Sequence, residues 1–300
     1  MTDKPVFRFA PSPNGLLHLG HAYSALLNQH LARRAGGVML LRIEDIDTVR
    51  CTPRLEAQML DDLAWLGFEW DGEPRRQSAH FDVYADYLQR LTDEGLIYRS
   101  TLSRADCARI VESREAHGLM WPRDPDGAPL FPGRDYEPSD VPDDMLHALR
   151  LDMNLALAHC GAPLSWHEAG GGQKGETGLL DADPAQWGDV VLARKDTPTS
   201  YHLSVVVDDA LQGVTHVVRG ADLMAATSVH ALLQALFGFS QPAYHHHGLI
   251  VNEAGDKLSK SRGDTAIASL RQAGMTPDDI RRLVGLGPDP TGPVVADPFW

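Results

Sequence analysis

The sequence predicts an α/β protein built around a parallel β-sheet. Two short apolar runs near the N-terminus, residues 6–10 and 38–43, have the length of buried strands. Each run is followed by a longer segment whose apolar residues recur at helical spacing, and this alternation is typical of a parallel sheet with crossover helices. With 300 residues and 43% hydrophobic content, the chain can form one large α/β domain with an insertion or a small satellite.

The first strand and the first helix are separated by a turn-rich loop. Residues 6–10 form an apolar run that contains Arg8 and ends at Pro11. Apolar residues then recur at helical spacing over residues 18–35, and Gly36 and Gly37 provide the stop. We therefore expect a buried strand that leads through a loop into an amphipathic helix.

A second strand and helix follow directly. Residues 38–43 predict a strand that carries Glu44 at its C-terminal end. Thr52 and Pro53 suit the N-cap and the first position of a helix that runs down to Gly67. These elements complete the strand–helix–strand–helix pattern.

The middle of the chain predicts irregular structure. Residues 121–144 are rich in proline, aspartate and glycine, and three glycines at 170–172 interrupt a second stretch. We interpret residues 100–187 as an insertion into the α/β domain. Further strands are expected at 190–192, 201–207, 214–218 and 248–251, with a helix at 225–237 and a short helical tail after Arg262.

Composition limits the classes of function. The net charge of −14 disfavours binding of nucleic acid by general attraction, so an RNA partner would require a local basic patch. Three cysteines without a CxxC pair indicate neither a disulfide framework nor a metal site. An N-terminus without a signal sequence and the lack of a long apolar segment predict a cytoplasmic protein. The basic patch that an RNA partner would require could come from either of two groups of arginines: Arg104, Arg109, Arg114 and Arg123, or Arg262, Arg271, Arg281 and Arg282.

A first motif lies where the first helix begins. His18 and His21 stand three positions apart on one face of the opening turn, and Gly20 lets a flat ligand approach the backbone. Unpaired N–H groups and the dipole at a helix N-terminus favour phosphate. The alternative is that these histidines cap the helix or belong to the core.

A second motif is a Lys-Leu-Ser-Lys-Ser string at residues 257–261, in a loop that contains glycine and aspartate. Lys257 and Lys260 could close over the negative charge of a departing pyrophosphate and release it later. The alternative is a solvated basic loop without a role in chemistry.

The two strings, in this order and at this separation, resemble the HIGH and KMSKS signatures of class I aminoacyl-tRNA synthetases. Residues 8–15, 41–47, 201–209 and 215–222 resemble the glutamyl members of that family. The resemblance implies a Rossmann-like, doubly wound parallel sheet of the class I synthetase type, with an inserted subdomain and a short helical C-terminal region.

The resemblance also implies a division of the chain. Residues 1–99 and 188–250 would form the two halves of the catalytic domain, and residues 100–187 an acceptor-binding insertion. Residues 251–300 would hold the KMSKS-like loop and a helical tail that contacts the tRNA stem. We expect no anticodon-binding domain, because only about 40 residues follow the lysine loop, which is short for a domain.

Residues 220–223 and the short length resemble most closely the truncated glutamyl relatives. Those relatives activate L-glutamate with ATP and Mg²⁺ and attach it to queuosine in the anticodon of tRNA(Asp). The resemblance therefore implies a monomeric enzyme that makes glutamyl-adenylate and uses this tRNA as its acceptor. Two alternatives stay open: a conventional glutamyl-tRNA synthetase that charges a tRNA 3′ end, and a non-catalytic paralogue that binds an amino acid or RNA.

The residue types in these motifs suit a glutamate pocket. A buried carboxylate needs a cation or several donors, and Arg8 and Arg219 lie within apolar strand contexts where arginine is rarely placed without a partner. Glu44 could receive the substrate ammonium, and Tyr201 could donate to a carboxylate. The alternative is that Arg8 and Glu44 pair with each other across adjacent strands. The resemblance places glutamate near Arg8, Ala10, Ser12, Glu44, Tyr201 and Arg219, places ATP near His18, Gly20, His21 and Lys260, and makes His18, His21, Lys257 and Lys260 the catalytic residues.

One feature of the family is missing. Many relatives bind zinc in the insertion through cysteines, but Ser100 and Leu102 occupy the positions of the first two. Cys107 and His117 are not spaced to replace them. Tetrahedral zinc needs four N, S or O ligands, so we expect no zinc.

Overall fold

The computed structural model describes residues 4–138, 145–172, 174–250 and 266–286. Within these ranges the strands form two sheets, and helices cover them. The strands are β1 (Val6–Phe9), β2 (Val38–Ile43), β3 (Arg75–Arg76), β4 (Ile97–Ser100), β5 (Ala148–Leu151), β6 (Ser165–Gly171), β7 (Glu176–Asp181), β8 (Val191–Ala193), β9 (His216–Gly220) and β10 (Ala243–His247). The helices are α1 (Leu19–Arg34), α2 (Pro53–Trp65), α3 (Phe81–Asp93), α4 (Arg104–Ala116), α5 (Met153–Cys160), α6 (Tyr201–Leu211), α7 (Thr227–Phe237), α8 (Ile267–Gln272) and α9 (Pro277–Leu283).

The larger sheet has the order β3-β2-β1-β9-β10-β6-β7. All neighbours are parallel except β7, which pairs antiparallel with β6. A second sheet, β4-β5-β8, is antiparallel. The predicted α/β class with a mostly parallel sheet is confirmed.

The two faces of the larger sheet bury different kinds of side chain. Phe7 and Phe9 of β1 join a hydrophobic core with α1 and α2, which includes Ile280 of α9. Arg8, between the two phenylalanines, points to the opposite face, because side chains alternate along a strand, and contacts α6 there. The sheet therefore carries an apolar face and a face with buried charges.

The early elements follow their predictions. α1 begins after His18, and Gly36 adopts a positive φ of 59° just beyond its end. The side chain of Thr52 caps α2 by accepting a hydrogen bond from the amide of Leu55, with Pro53 at the first helical position. Local sequence signals are therefore sufficient to predict where α1 ends and where α2 begins.

Two predicted strands are corrected. Residues 201–207 belong to helix α6, which the side chain of Ser200 caps. Its three consecutive valines are all buried, and a short buried apolar run has no periodicity that separates strand from helix. Residues 248–250 form no strand, and residue 251 lies outside the described residues. The strand is β10 at Ala243–His247, whose three buried histidines look polar in the sequence.

The stretch around residues 170–172 is also more regular than predicted. β6 and β7 form a hairpin there, and β6 pairs with β10 in the larger sheet. Residues of the predicted insertion 100–187 therefore contribute strands to both sheets. The domain boundaries themselves remain a prediction. In the described ranges, no helix combines the length and the apolar character that a membrane crossing requires.

Candidate active site

A cleft of about 690 Å³ opens at the carboxyl ends of β1 and β9, beside the N-terminus of α1. In open parallel sheets, ligands bind at this edge where the strand order reverses. Lys257 and Lys260 lie outside the described residues. Every other residue that the sequence analysis assigned to the site lines this cleft: Arg8, Ala10, Ser12, His18, Gly20, His21, Glu44, Tyr201 and Arg219.

The two histidines of the first motif cap α1 reciprocally. Nδ1 of His18 accepts a hydrogen bond from the amide of Gly20 at 3.1 Å, and Nδ1 of His21 accepts one from the amide of His18 at 3.1 Å. Because each Nδ1 accepts a hydrogen bond, a neutral ring must carry its hydrogen on Nε2. The capping interpretation therefore describes this geometry, and it makes Nε2 the nitrogen that carries the hydrogen in each neutral ring.

Gly20 keeps room for this arrangement. A Cβ atom at position 20 would lie 3.0 Å from Cε1 of His18, which is closer than ordinary van der Waals contact allows. The ring of His18 lies 3.8 Å from that of His21, measured between centroids. Gly20 therefore permits both imidazoles to line the mouth of the cleft.

Arg8 belongs to a buried ion-pair network. Its Nε lies 3.0 Å from Oδ1 of Asp209, and Nη1 of Arg42 lies 2.7 Å from the same oxygen. Nη2 of Arg42 lies 3.3 Å from Oε1 of Glu44. The structure thus gives Arg8 and Glu44 different ion-pair partners, Asp209 and Arg42, rather than the direct pair that the sequence analysis weighed.

Asp208 extends the network away from the cleft. Its Oδ1 lies 2.6 Å from Nε of Arg75, and its Oδ2 accepts hydrogen bonds from Gln77 and Tyr84. Arg42 lies within 3.9 Å of Oδ2 of the same carboxylate. Buried charges are tolerated when they are paired and hydrogen-bonded. Each charge of this network has an ion-pair partner, whereas Nε of Arg42 and Nη2 of Arg75 are buried without a hydrogen-bond partner among the described residues.

The two carboxylates nearest the cleft differ in their pKa. Burial disfavours the charge of Asp209, but Arg8 and Arg42 outweigh this effect and hold the pKa of Asp209 below its usual range. For Glu44 burial is the stronger effect, and its pKa is raised although Arg42 and Arg8 oppose the shift. A cationic ligand beside Glu44 would therefore favour its charged form.

Arg219 has a different environment. It is 5% exposed, and its hydrogen-bond partners among the described residues are neutral acceptors. No carboxylate oxygen among the described residues lies within the 4.0 Å of an ion pair. The partners are Nε2 of His246 at 3.0 Å, Oγ1 of Thr227 at 2.8 Å, Nδ1 of His230 at 3.2 Å, the carbonyl of Leu223 at 3.2 Å and the hydroxyl of Tyr201 at 3.3 Å.

The groups around Arg219 stay uncharged. Burial lowers the pKa of His230 well below its ordinary value, and Arg219 lowers it further. Burial likewise raises the pKa of Tyr201. A buried guanidinium whose described neighbours are neutral is best compensated by an anion from a ligand, and Arg219 lines the cleft that such a ligand would enter.

The cleft therefore combines a buried cation with a carboxylate. Arg219 lies on β9 and Glu44 directly follows β2, so two strands on opposite sides of β1 supply them. Such a site suits a ligand that carries both an anionic and a cationic group. The N-terminus of α1, with the Nε2–H donors of His18 and His21, suits phosphate at the mouth.

Several residues of this site were not predicted from the sequence. Asp209 pairs with Arg8 and also with Arg42, and His230 and His246 accept hydrogen bonds from Arg219, yet no role was assigned to these four residues. The adjacent aspartates at 208 and 209 entered the prediction only as part of a stretch that resembles the glutamyl members of the family. Two acidic residues at the end of a buried apolar run are nevertheless a signal of buried cations. The buried histidines carried no comparable signal.

The arginines proposed as basic patches are partly neutralised. Ion pairs in the described residues include Arg109 with Asp106, Arg123 with Glu115, Arg271 with Asp61, and Arg282 with Asp279. Arg104 instead lines a second cleft of about 550 Å³, together with Arg150 and Arg194. Arg262 lies outside the described residues.

Ser100 and Thr101, in the stretch where the resemblance implies zinc ligands in other members of the family, form hydrogen bonds with a carboxylate. Oγ of Ser100 donates to Oε1 of Glu137 at 2.5 Å, and the amide of Thr101 donates to Oε2 of the same carboxylate at 2.7 Å. Leu102 lines the second cleft with Cys107. Within the described ranges, no three His, Cys, Asp or Glu side chains are grouped to hold a metal ion.

Comparisons with known proteins show the family of the chain. The family described as "tRNA synthetases class I (E and Q), catalytic domain" matches residues 5–135 and 177–288. The chain is 48% identical over 293 residues to the glutamyl-Q tRNA(Asp) synthetase of Rhodobacter capsulatus. This match covers 94% of this chain and 100% of that relative. It is 37% identical over 292 residues to glutamate–tRNA ligase 2 of Rhodospirillum rubrum, covering 94% of this chain but 57% of that one.

A solved structure is similar over the same range. The crystal structure of a glutamate tRNA ligase from Elizabethkingia meningosepticum in complex with its amino acid superposes with a TM-score of 0.74 and 26% identity. The match covers 95% of this chain and 61% of that one.

Proposed function

The chain belongs to the family of class I tRNA synthetases for glutamate and glutamine, and from that premise we propose that it activates L-glutamate with ATP and transfers the glutamate to queuosine in the anticodon of tRNA(Asp). Membership of the family confirms the family predicted from the sequence and the predicted class of enzyme, an ATP-dependent ligase. The acceptor and the roles of individual residues are the proposal.

The observation that carries the choice of glutamate is the environment of Arg219. Its buried guanidinium contacts neutral groups, whereas Asp209 already compensates Arg8. We therefore assign the side-chain carboxylate of glutamate to Arg219, assisted by the hydroxyl of Tyr201. Glu44 receives the ammonium group, and Ala10 and Ser12 line the space between them.

Activation is mostly a matter of positioning and electrostatics. An oxygen of the α-carboxylate of glutamate attacks the α-phosphorus of ATP, and pyrophosphate leaves with the electrons of the broken P–O bond. His18 and His21 donate from Nε2 toward the phosphates, at the N-terminus of α1. Lys260 and Lys257 stabilise the pyrophosphate, and Mg²⁺ enters as part of the ATP substrate.

Transfer uses the same cleft. A hydroxyl group of the queuosine base attacks the carbonyl carbon of the mixed anhydride, an ester bond forms, and AMP leaves. Support for this acceptor comes from the relative of Rhodobacter capsulatus, whose whole length this chain matches at 48% identity. We further propose that the enzyme is a cytoplasmic monomer.

One experiment tests the acceptor. The protein is incubated with ATP, labelled glutamate and bulk tRNA, and the label is then located. Attached glutamate should survive removal of the 3′-terminal adenosine and should be absent when the tRNA comes from cells without queuosine. The identity to glutamate–tRNA ligase 2 favours a second candidate, charging of a tRNA 3′ end, and label that depends on the 3′ end would establish it.

A separate measurement tests activation itself. ATP–pyrophosphate exchange that depends on glutamate is expected with the purified protein. A protein that binds glutamate but catalyses no exchange, with or without tRNA, would be a non-catalytic paralogue.

A further inference from the structure

Three adjacent strands align a glutamate, a histidine and an arginine behind the cleft. Arg219 on β9 is the direct register partner of His246 on β10. Tyr244, two residues before His246, is the partner of Glu168 on β6. Glu168 and His246 are fully buried, at 0% exposure each, and only Arg219 of the three lines the cleft.

The partners of His246 determine its tautomer. Nε of Arg219 lies 3.0 Å from Nε2 of His246. Since arginine can only donate, Nε2 must accept and carries no hydrogen. Nδ1 then carries the ring hydrogen and donates it to Oε2 of Glu168, 2.5 Å away.

Glu168 is held in place as an ionised acceptor. Its Oε1 accepts hydrogen bonds from the amides of Gly170 and His246, both at 2.8 Å. Burial raises the pKa of Glu168, but the hydrogen bonds from the side chain and amide of His246 and from the amide of Gly170 outweigh this effect, so the net shift is downward. Gly170 allows this approach, because a Cβ atom there would lie 2.6 Å from the amide nitrogen of His246.

The chain of hydrogen bonds thus runs from an anion to the buried cation. Glu168 fixes the hydrogen of His246 on Nδ1, and Nε2 is thereby fixed as the acceptor for Arg219. A carboxylate partner also makes an imidazole a stronger acceptor on its other nitrogen. Through this histidine, Glu168 provides compensation for a guanidinium that has no described carboxylate within ion-pair distance.

We infer that Glu168 and His246 are positioning residues that hold the guanidinium of Arg219 for the side-chain carboxylate of the substrate, and so determine the affinity for glutamate and its selection over glutamine. This inference rests on the proposed function, since it takes glutamate as the ligand of Arg219. Neither residue touches the reacting atoms.

Substitution of Glu168 by glutamine would reverse the tautomer without changing the size of the side chain. The amide oxygen of the introduced glutamine keeps the hydrogen bonds from the two backbone amides, so its NH₂ group faces Nδ1 of His246. Nδ1 must then accept, and the ring hydrogen moves to Nε2. There it opposes the N–H of Arg219, and two donors face each other.

The kinetic test uses Glu168→Gln in ATP–pyrophosphate exchange. We expect the KM for glutamate to rise by about tenfold or more, with kcat changed by less than about threefold, because Arg219 contacts glutamate alike before and during reaction. The KM for ATP should stay within about twofold. The preference for glutamate over glutamine in kcat/KM should fall by a similar factor. Glu176→Gln, the same change on the neighbouring strand β7, is the matched control and should leave all constants unchanged.

A structural test examines the wild-type protein. In the wild-type protein, ¹⁵N NMR should find the hydrogen of His246 on Nδ1, with the signal assigned through His246→Asn. A hydrogen on Nε2 would overturn the inference. So would a folded Glu168→Gln protein with the hydrogen moved to Nε2 but an unchanged KM for glutamate. If the wild-type protein shows no exchange with glutamate while His246 has the expected tautomer, the proposed function fails rather than this geometry.

Discussion

Arg8 and Asp209 form a buried ion pair, with Nε of the arginine 3.0 Å from Oδ1 of the aspartate across 201 positions of sequence. Asp209 holds Arg42 through the same oxygen at 2.7 Å. One carboxylate therefore joins the first two strands of the chain to helix α6, at the wall of the candidate active site. Its loss would leave two buried guanidinium groups without their shared partner.

Asp209→Asn should destabilise the protein strongly. Removal of one member of a buried ionic cluster costs about 3–5 kcal/mol in the free energy of unfolding, because the remaining charges stay buried. Urea unfolding followed by circular dichroism measures the change. Glu69→Gln, which removes the partner of the exposed Arg33, is the control and should shift the midpoint little. Equal effects of the two substitutions would contradict the role of Asp209.

Exchange with glutamine or aspartate should be poor in the wild-type protein. A neutral amide cannot compensate Arg219, so we expect the kcat/KM for glutamine to be at least about 100-fold below that for glutamate. Arg219→Met should raise the KM for glutamate steeply and reduce the difference in kcat/KM between glutamate and glutamine. Comparable exchange with glutamine and glutamate in the wild type would exclude pairing of Arg219 with the side-chain carboxylate.

The affinity for glutamate should depend on pH through Glu44. Burial raises the pKa of Glu44 above its ordinary value of 4.5, and the substrate ammonium pairs with the ionised form. As the pH falls through this raised pKa, Glu44 takes up a proton and the KM for glutamate rises. The rise should begin at a higher pH than the titration of an ordinary carboxyl group.

Glu44→Gln provides the reference for that profile. The variant should fold, because Asp208 and Asp209 still compensate the buried Arg42, and its KM should be high at every pH. Measurement of KM between about pH 5 and 8 in both proteins would separate Glu44 from the carboxylates of the substrate. The same pH dependence in both would remove Glu44 from the ammonium site.

Lys260→Ala should lower the rate of activation by more than about tenfold, with little change in glutamate affinity. The proposed contact strengthens only as pyrophosphate develops charge. Single-turnover formation of adenylate measures the rate, and equilibrium binding of glutamate measures the affinity. An unchanged rate would mean that the lysine loop is a solvated surface.

Metal analysis should find no stoichiometric zinc, and strong chelators should leave the unfolding midpoint unchanged. Ser100 and Thr101 donate hydrogen bonds to Glu137 in the stretch where the resemblance implies zinc ligands in other members of the family. About one tightly held zinc per chain would require ligands outside those considered. Glu137→Gln should weaken the stability of this region in the same unfolding experiment.

The early sequence was informative because its signals are local. Thr52 with Pro53, or His18 before a periodic apolar run, specify a helix start through neighbours within a few residues. Arginines in apolar strands pointed to buried anions, and both Arg8 and Arg219 line one cleft. Their environments differ, however, because the partners come from distant elements.

The sequence pattern could not predict ion pairs between residues that are distant in the chain. Nothing near Arg8 indicates that Asp209 is its partner, since the pairing depends on how α6 lies across the sheet. The valines of α6 have strand propensity, but burial on all sides and the cap at Ser200 decide for a helix. His246 of β10 looks polar in the sequence, yet it accepts a hydrogen bond from Arg219 and donates one to Glu168, and these two bonds permit its burial.

The distance in sequence between Arg8 and Asp209 also has a consequence for synthesis of the chain. The strands that carry Arg8 and Arg42 leave the ribosome long before the carboxylate that joins them. At about 5–20 residues per second, the delay over 201 positions is roughly 10–40 s. During that interval the two guanidinium groups lack the carboxylate of Asp209 and must remain hydrated. The amino-terminal part of the sheet therefore cannot bury them. This wall of the candidate active site therefore cannot form before α6 has been translated. Until then the apolar surface of the nascent chain stays exposed unless another molecule covers it.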